Sequence, residues 1–343
     1  MLKGFFSNTS IVFLLLILTF NRSYSQAPVE KSVRIMFYNV ENLFDIYDDS
    51  LKDDKDFLPD GLMRWNLTRY NKKIISLEKT IVAAGEWEPP TVIAFCEVEN
   101  RKVLEDLIYN TYLSKFNYRI IHEESPDRRG IDVCLIYRES IADILYHRYW
   151  LPSKINRRDF NSRSVLYTKL IISSDTIHLI VNHWPSRRGG VLAGADYRQQ
   201  IASMVREKVD SIIAADISGA RIIILGDFNC TPDDQVIRSL IYSIDTANCL
   251  INLSEKLDEN GQGTYRYIGT WEMIDQVIIS RKLLTCRKGL YTEPDLLKIF
   301  KSDFLMRKDS KYPGFSPFST YRGYKYQGGY SDHLPVLLDL KIR

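Results

Sequence analysis

From Val33 onward, runs of β-branched and apolar residues alternate with helix-like segments, and several runs are apolar on both faces. A strand buried on both sides needs cover above and below, which a layered core supplies. The runs are Val33–Asn39, Val92–Glu97, Asp132–Arg138, Tyr167–Ile172, Ile177–His183, Ile222–Asp227, Ile274–Ser280 and Leu334–Ile342. Their composition and alternation predict strands. Helices are predicted over Leu67–Ala84, closed by Gly85, and over Lys102–Leu113, Tyr197–Ala215 and Asp233–Tyr242. In the third, Ile201, Met204, Val205, Val209 and Ile212 keep the helical period. Thr231-Pro232 offers the fourth an N-cap residue followed by proline at the first helical position. Strands outnumber helices, so the expected class is α/β, a sheet-on-sheet core with helices outside. No linker-like tract and no internal repeat interrupts residues 26–343, which read as one domain.

The longest apolar run outside that domain, Ile11–Phe20, follows Lys3 and precedes Asn21-Arg22-Ser23-Tyr24-Ser25-Gln26. It is shorter than the roughly 20 residues a membrane span needs. A basic start, an apolar middle and small residues at Ser23 and Ser25 predict a signal peptide over residues 1–25. The expectation is export to the periplasm or beyond, with no stable membrane span, as a monomer. Cleavage would remove Lys3 and Arg22, taking 46 basic residues to 44 against 43 acids. So balanced a charge neither demands nor forbids a nucleic-acid partner. The cysteines Cys96, Cys134, Cys230, Cys249 and Cys286 form no C-x-x-C pair, and Cys96 and Cys134 sit inside apolar runs as small hydrophobes.

Carboxylates, amides and imidazoles recur where the apolar rows stop. Along a strand, alternate residues share a face. Asn39 therefore continues Val33, Ile35 and Phe37; Glu97 continues Ile93 and Phe95; His183 continues Leu179 and Val181; Asp227 continues Ile223 and Leu225. Asn229 lies just beyond, in Gly226-Asp227-Phe228-Asn229. Asp332-His333 precedes one strand and Asp275 lies near the start of another. In antiparallel neighbours the start of one strand lies beside the end of the next, so one rim can collect them all. Singly, a strand-end Asp or Asn is commonly a turn former. The joint pattern is what points to chemistry.

Glu, Asp and Asn oxygens suit a hard divalent cation, Mg2+ first, with Mn2+ or Ca2+ also accommodated. No Cys/His set has zinc spacing, and there is no P-loop, nucleophile elbow or dinucleotide loop. A cation, two histidines and several carboxylates fit attack of an activated water on a phosphoester.

The motifs Tyr38-Asn39-Val40-Glu41-Asn42, Phe95-Cys96-Glu97-Val98, Gly130-Ile131-Asp132-Val133, Asn182-His183-Trp184-Pro185-Ser186-Arg187, Gly226-Asp227-Phe228-Asn229, Met273-Ile274-Asp275-Gln276 and Ser331-Asp332-His333 occur in this order. Together they resemble the endonuclease/exonuclease/phosphatase superfamily, which includes deoxyribonuclease I-like nucleases, sphingomyelinases and inositol-polyphosphate phosphatases. The resemblance implies a four-layer α/β/β/α sandwich of two mainly antiparallel sheets, with the site at one end of the sheets. It implies Glu97 as principal metal ligand, Asn39 beside it on metal or phosphate, and Asp332 as second ligand or carboxylate partner of His333. Asp227 would orient or deprotonate the water, Asn229 would hold the phosphate, and His333 would contact a phosphate oxygen or transfer a proton. Asp275 would support the second histidine site or the leaving group, and Asp132 would orient His183, the second imidazole.

Where many members carry Gln before the metal Glu, this chain has Cys96, which the alternation turns away from the face of Glu97 as packing. Glu41 and Glu99 read as solvated loop acids. Arg187 and Arg188, with Arg198 and Arg163, are candidate phosphate clamps. Basic and aromatic residues interleave over 298–330, which suits either single-strand binding or a loop packed beside the site. The expected activity is an exported Mg2+-dependent phosphodiesterase, foremost an endonuclease on extracellular nucleic acid. The alternatives are a phosphomonoesterase or sphingomyelinase-like phospholipase of the same fold, or a catalytically weak phosphate-ligand binding protein.

Overall fold

The computed structural model describes Met1 and residues 32–86, 88–152, 162–187, 194–216 and 218–343. The expected signal peptide beyond Met1, and Arg188, lie outside the described residues. The first sheet uses β1 (Ser32–Leu43), β2 (Val92–Val98), β3 (Tyr118–Ile121) and β4 (Asp132–Arg138). The second uses β5 (Ala142–Trp150), β6 (Val165–Ile172), β7 (Asp175–His183), β8 (Arg221–Asp227), β9 (Leu250–Asn252) and β10 (Asp275–Ser280). Three more strands, β11 (Leu290–Tyr291), β12 (Leu297–Ile299) and β13 (Val336–Ile342), return to the first. The strand orders are β11-β13-β1-β2-β4-β3, with β12 also on β13, and β5-β6-β7-β8-β10-β9. Pairing is antiparallel except β1 with β2 and β7 with β8.

The two sheets face each other through Ile35, Phe37, Ala94, Leu135, Leu179, Val181, Leu225 and Val277. The outer face of the first sheet packs Met36, Tyr38 and Phe95 against Ile74, Leu77 and Ile81 of α1 (Leu67–Ala84) and Leu104 of α2 (Arg101–Tyr109). That of the second packs Ile180, Ile222 and Ile224 against Ile201, Val205 and Val209 of α3 (Ala195–Ala215) and Ile237 of α4 (Gln235–Ile241). The layers therefore run α/β/β/α. Asn66 and Asn100 cap α1 and α2, each side-chain oxygen accepting the N–H three residues on at 3.1 Å. The fourth helix begins later than Thr231-Pro232 suggests. The Asp234 carboxylate accepts the Thr231 N–H at 2.8 Å and closes a turn first.

Candidate active site

Three of the four apolar rows end as alternation requires. Asn39, His183 and Asp227 each extend a row that faces the opposite sheet. Register then sets their neighbours: His183 pairs with Asp227 across β7 and β8, and Asp227 with Asp275 across β8 and β10. Asn39 Nδ2 donates to Asp227 Oδ2 at 3.0 Å, joining the two sheets at this rim. Asp227 Oδ1 accepts the N–H of Asn229 at 2.9 Å. His333 Nδ1 bonds Asp275 Oδ2 at 2.7 Å, and the Thr264 hydroxyl donates to that same oxygen. The Nε2 atoms of His183 and His333 lie 3.7 and 3.9 Å from Asp227 Oδ2, and His183 Nε2 lies 3.8 Å from Glu97 Oε1.

Glu97 arrives by a different route from the one alternation gives. Ile93 and Phe95 face the helices, not the opposite sheet. A β-bulge between Cys96 and Val98 and a left-handed φ of 63° at Glu97 re-aim its side chain. Asn42 N–H fixes Oε2 at 3.0 Å. The corollary corrects the reading of Cys96. Its row is the inter-sheet row, so the thiol lies on the site floor, fully buried, within 4.8 Å of ligand atoms of His183 and Asp227.

Burial dominates the electrostatics. It pushes the Asp227 carboxyl up to about 7; the His333 charge opposes this, and Asp275 and Glu97 add to it. Burial pulls His183 well below the usual imidazole range, aided by Arg163 and Arg129. His333 is pulled down by burial, but the charge and hydrogen bond of Asp275, with the charges of Asp332 and Asp227, hold it well above that range. One imidazole is thus kept neutral and the other cationic.

Other expected residues fall elsewhere. Asp132 does not orient His183: its carboxylate accepts Ser125 N–H at 2.9 Å and meets His122 Nε2 at 3.1 Å, because its row faces the helix layer. The carboxylate partner of His333 is Asp275, leaving Asp332 near Glu97, whose charge helps burial raise the Asp332 carboxyl. Arg187 donates to Asn229 O at 2.6 Å and Asp234 Oδ2 at 3.0 Å, and Arg198 is buried, donating to Pro185 O at 3.1 Å. Arg187 thus braces the loop carrying Asn229 and Arg198 holds the segment at Pro185, so both guanidinium groups are engaged with protein oxygens. Arg163 is likewise buried, on Trp184 O and Asp127.

Sequence reasoning missed a buried layer behind the site. Glu41 is 7% exposed, and its two carboxylate oxygens accept Thr320 and Tyr321 N–H at 2.5 and 2.9 Å. Lys73, from the apolar face of α1, donates to Thr320 Oγ1, Tyr330 O and Glu41 O. Burial raises Glu41 to about 8 and lowers Lys73 to about 8. Glu99 is buried too, accepting Asp45 N–H at 2.6 Å. The 300–330 segment packs on this layer: Lys79 lies over Phe304, Arg69 over Tyr326 and Arg307 over Phe318. A lysine within an amphipathic helix is the one sequence hint of that layer.

The donor set fits a divalent cation. Asp227 and Asp332 converge with Glu97, burial penalising the charge of both aspartates, and Asp275 Oδ1 and His183 Nδ1 are buried without a hydrogen-bond partner. A cation held by Glu97, with Asn39 and Asp332, offsets that repulsion.

Solved structures carry the same fold at low identity. Humanized D. rerio TDP2 superposes with a TM-score of 0.55 at 14% identity, covering 90% of this chain and 99% of that one. The catalytic domain of human Nocturnin gives 0.53 at 16%, covering 92% and 97%. Mannosyl-6-phosphatase Bt3783 of Bacteroides thetaiotaomicron gives 0.56 at 13%, covering 91% and 99%. No curated protein sequence matches the chain. The two-sheet sandwich is that of a superfamily of phosphoric ester hydrolases, which makes the chain a hydrolase by class. The chain belongs to the Endonuclease/Exonuclease/phosphatase family, whose profile matches residues 34–342. That family is generally dependent on a divalent metal.

Proposed function

We propose that the chain is a Mg2+-dependent phosphodiesterase, exported after removal of residues 1–25, that cleaves extracellular nucleic acid. The observation that carries the reading is the convergence of Asn39, Glu97, His183, Asp227 and the Asp275–His333 pair at one rim. When bound, Mg2+ would neutralise charge on the phosphate oxygens. Asp227, braced by Asn39 and by Asn229 N–H and raised to about 7, is basic enough to take a proton from the attacking water. His333, kept cationic by Asp275, presents Nε2 to a phosphate oxygen, and neutral His183 supplies a second N–H. Asn229 spends one amide N–H on Trp184 O at 3.0 Å and keeps the other for phosphate.

A nucleic-acid substrate is favoured by two further observations. A structure of D. rerio TDP2, of the same fold, is complexed with single strand DNA product. Here the hairpin strands Tyr265–Tyr267 and Thr270–Glu272 place Tyr265 against His333, with ring centroids 4.9 Å apart, and Lys301 lies over Trp271 at 4.7 Å. Aromatic faces beside cations suit nucleobases. The test is incubation of residues 26–343 with plasmid DNA, RNA, sphingomyelin, inositol phosphates and a sugar phosphate, in Mg2+ or EDTA. Nicking of DNA or RNA that EDTA abolishes is the expected result. Release of phosphate from monoesters alone would transfer the assignment to a phosphomonoesterase, and no turnover of any substrate would leave a binding protein.

A further inference from the structure

Cys96, His183 and Asp227 come from β2, β7 and β8, too far apart in sequence for any local ligand spacing to reveal them. In the fold, one sulfur, one imidazole nitrogen and one carboxylate oxygen all lie within 4.8 Å of one another. All three residues are at least 97% buried. His183 Nε2 lies 3.7 Å from Asp227 Oδ2, and the other ring nitrogen, Nδ1, is enclosed without a hydrogen-bond partner, an expensive state for a buried ring atom. Tetrahedral zinc, with legs of about 2.3 Å to sulfur and about 2.0–2.2 Å to nitrogen and oxygen, separates its ligand atoms by roughly 3.4–3.8 Å. The three side chains need to close by up to about 1.4 Å to reach that spacing.

We propose that Cys96, His183 and Asp227 form a site for a thiophilic divalent cation, zinc in particular, at the buried inner side of the rim. Its sulfur donor distinguishes it from the all-oxygen set of Glu97, Asn39 and Asp332, which suits a hard ion. On binding, the Cys96 thiol passes its proton to solvent as the sulfur–metal bond forms. Zinc there occupies both the carboxylate proposed to activate water and the neutral imidazole, so it inhibits the Mg2+-supported reaction. Only this inhibitory consequence rests on the proposed phosphodiesterase activity. Glu97, more exposed than any of the three, lies 3.8 Å from His183 Nε2 on the side nearest solvent.

Cobalt(II) and zinc titrations of metal-free wild type, Cys96→Ser and Cys96→Ala decide the matter without requiring turnover. Wild type should show a thiolate-to-cobalt charge-transfer band that both variants lack, which excludes the other four cysteines as its source. Zinc affinity, measured against a chromogenic chelator, should fall at least about tenfold in both, a cost typical of disturbing even an outer partner of a metal site. With a phosphodiester substrate and Mg2+, both variants should keep wild-type turnover and need at least about tenfold more zinc for half inhibition. An absent band, or zinc affinity within twofold of wild type in Cys96→Ala, overturns the site. A band without any phosphoester turnover leaves the site standing and removes only the proposed activity.

Discussion

The Asp275–His333 pair gives the most decisive single perturbation. The Asp275→Asn change keeps the shape of the side chain and an oxygen able to accept the His333 Nδ1 proton, but removes the charge that faces it at 2.7 Å. A hydrogen bond to a charged group is worth about 1.5–3 kcal/mol more than leaving it unmade. If that energy is spent holding a cationic imidazole toward the developing negative charge, kcat should fall about 10- to 150-fold. KM should change little, because the pair does not reach the parts of a substrate remote from the reacting phosphate. Asp275→Ala should cost more. It also strands the Thr264 hydroxyl and a buried cation, and breaking a buried ion pair from one side costs about 3–5 kcal/mol. The assay is steady-state hydrolysis of a chromogenic phosphodiester, with a urea melt of each variant to keep stability and catalysis apart. If Asp275→Asn turns over within about threefold of wild type and melts alike, the carboxylate does not set the state of His333 and the argument fails.

Three further outcomes follow from the same structure. Gly226 sits at φ 152° with a would-be Cβ 2.2 Å from Asn182 O, so Gly226→Ala should lose at least ~3 kcal/mol in urea unfolding, and a loss below ~1 kcal/mol would contradict that packing. Glu41→Ala should destabilise by at least ~2 kcal/mol, because the Thr320 and Tyr321 N–H groups lose their acceptors; faster proteolysis within 315–330 is the local readout. Burial, with the Lys169 charge, holds His178 down at about 4, while its Nδ1 meets the Tyr167 hydroxyl at 2.8 Å. An unfolded chain with an ordinary histidine then binds the extra proton first, so stability should fall as pH drops from about 6.5 to 4. His178→Gln should flatten the melting temperature across that window.

The layered fold was legible because a period of two survives burial. Apolar rows such as Ile223–Leu225 and Leu179–Val181 must face something greasy, and the polar group ending each row marks the rim. What escaped was set by long-range contact. The edge strand β5 is largely exposed, with Tyr146 and Leu145 outward, so only the broken row Ala142, Ile144 and Tyr149 reaches the core. Glu41 and Glu99 looked like loop acids because the backbone N–H groups that satisfy them come from segments far along the chain. Asp132 was misassigned for a related reason: its face of β4 meets His122, not the opposite sheet.

Alternation failed at Glu97, and the reason is physical. A residue that must leave the row of its strand has to break the strand, and a non-glycine residue in the left-handed region is sparsely populated. The same conformation recurs at Glu41, Asn42 and Asn229, with φ of 51°, 54° and 49°. At three of these sites the strain is tied to a hydrogen bond within the cluster. Glu41 N–H donates to Asn39 Oδ1, Asn42 N–H to Glu97 Oε2 and Asn229 N–H to Asp227 Oδ1. Each bent backbone thus turns an amide toward a side chain of the rim, and each side chain repays part of the conformational cost. Relieving one bend with glycine should therefore loosen the side chain it braces more than it stabilises the strand. Asn229→Gly tests the point. It relaxes the left-handed residue, keeps the N–H for Asp227, and removes the amide that grips Trp184 O. Turnover should fall while thermal stability stays within about 1 kcal/mol of wild type. Equal losses in both would mean that the bends serve the fold and not the site.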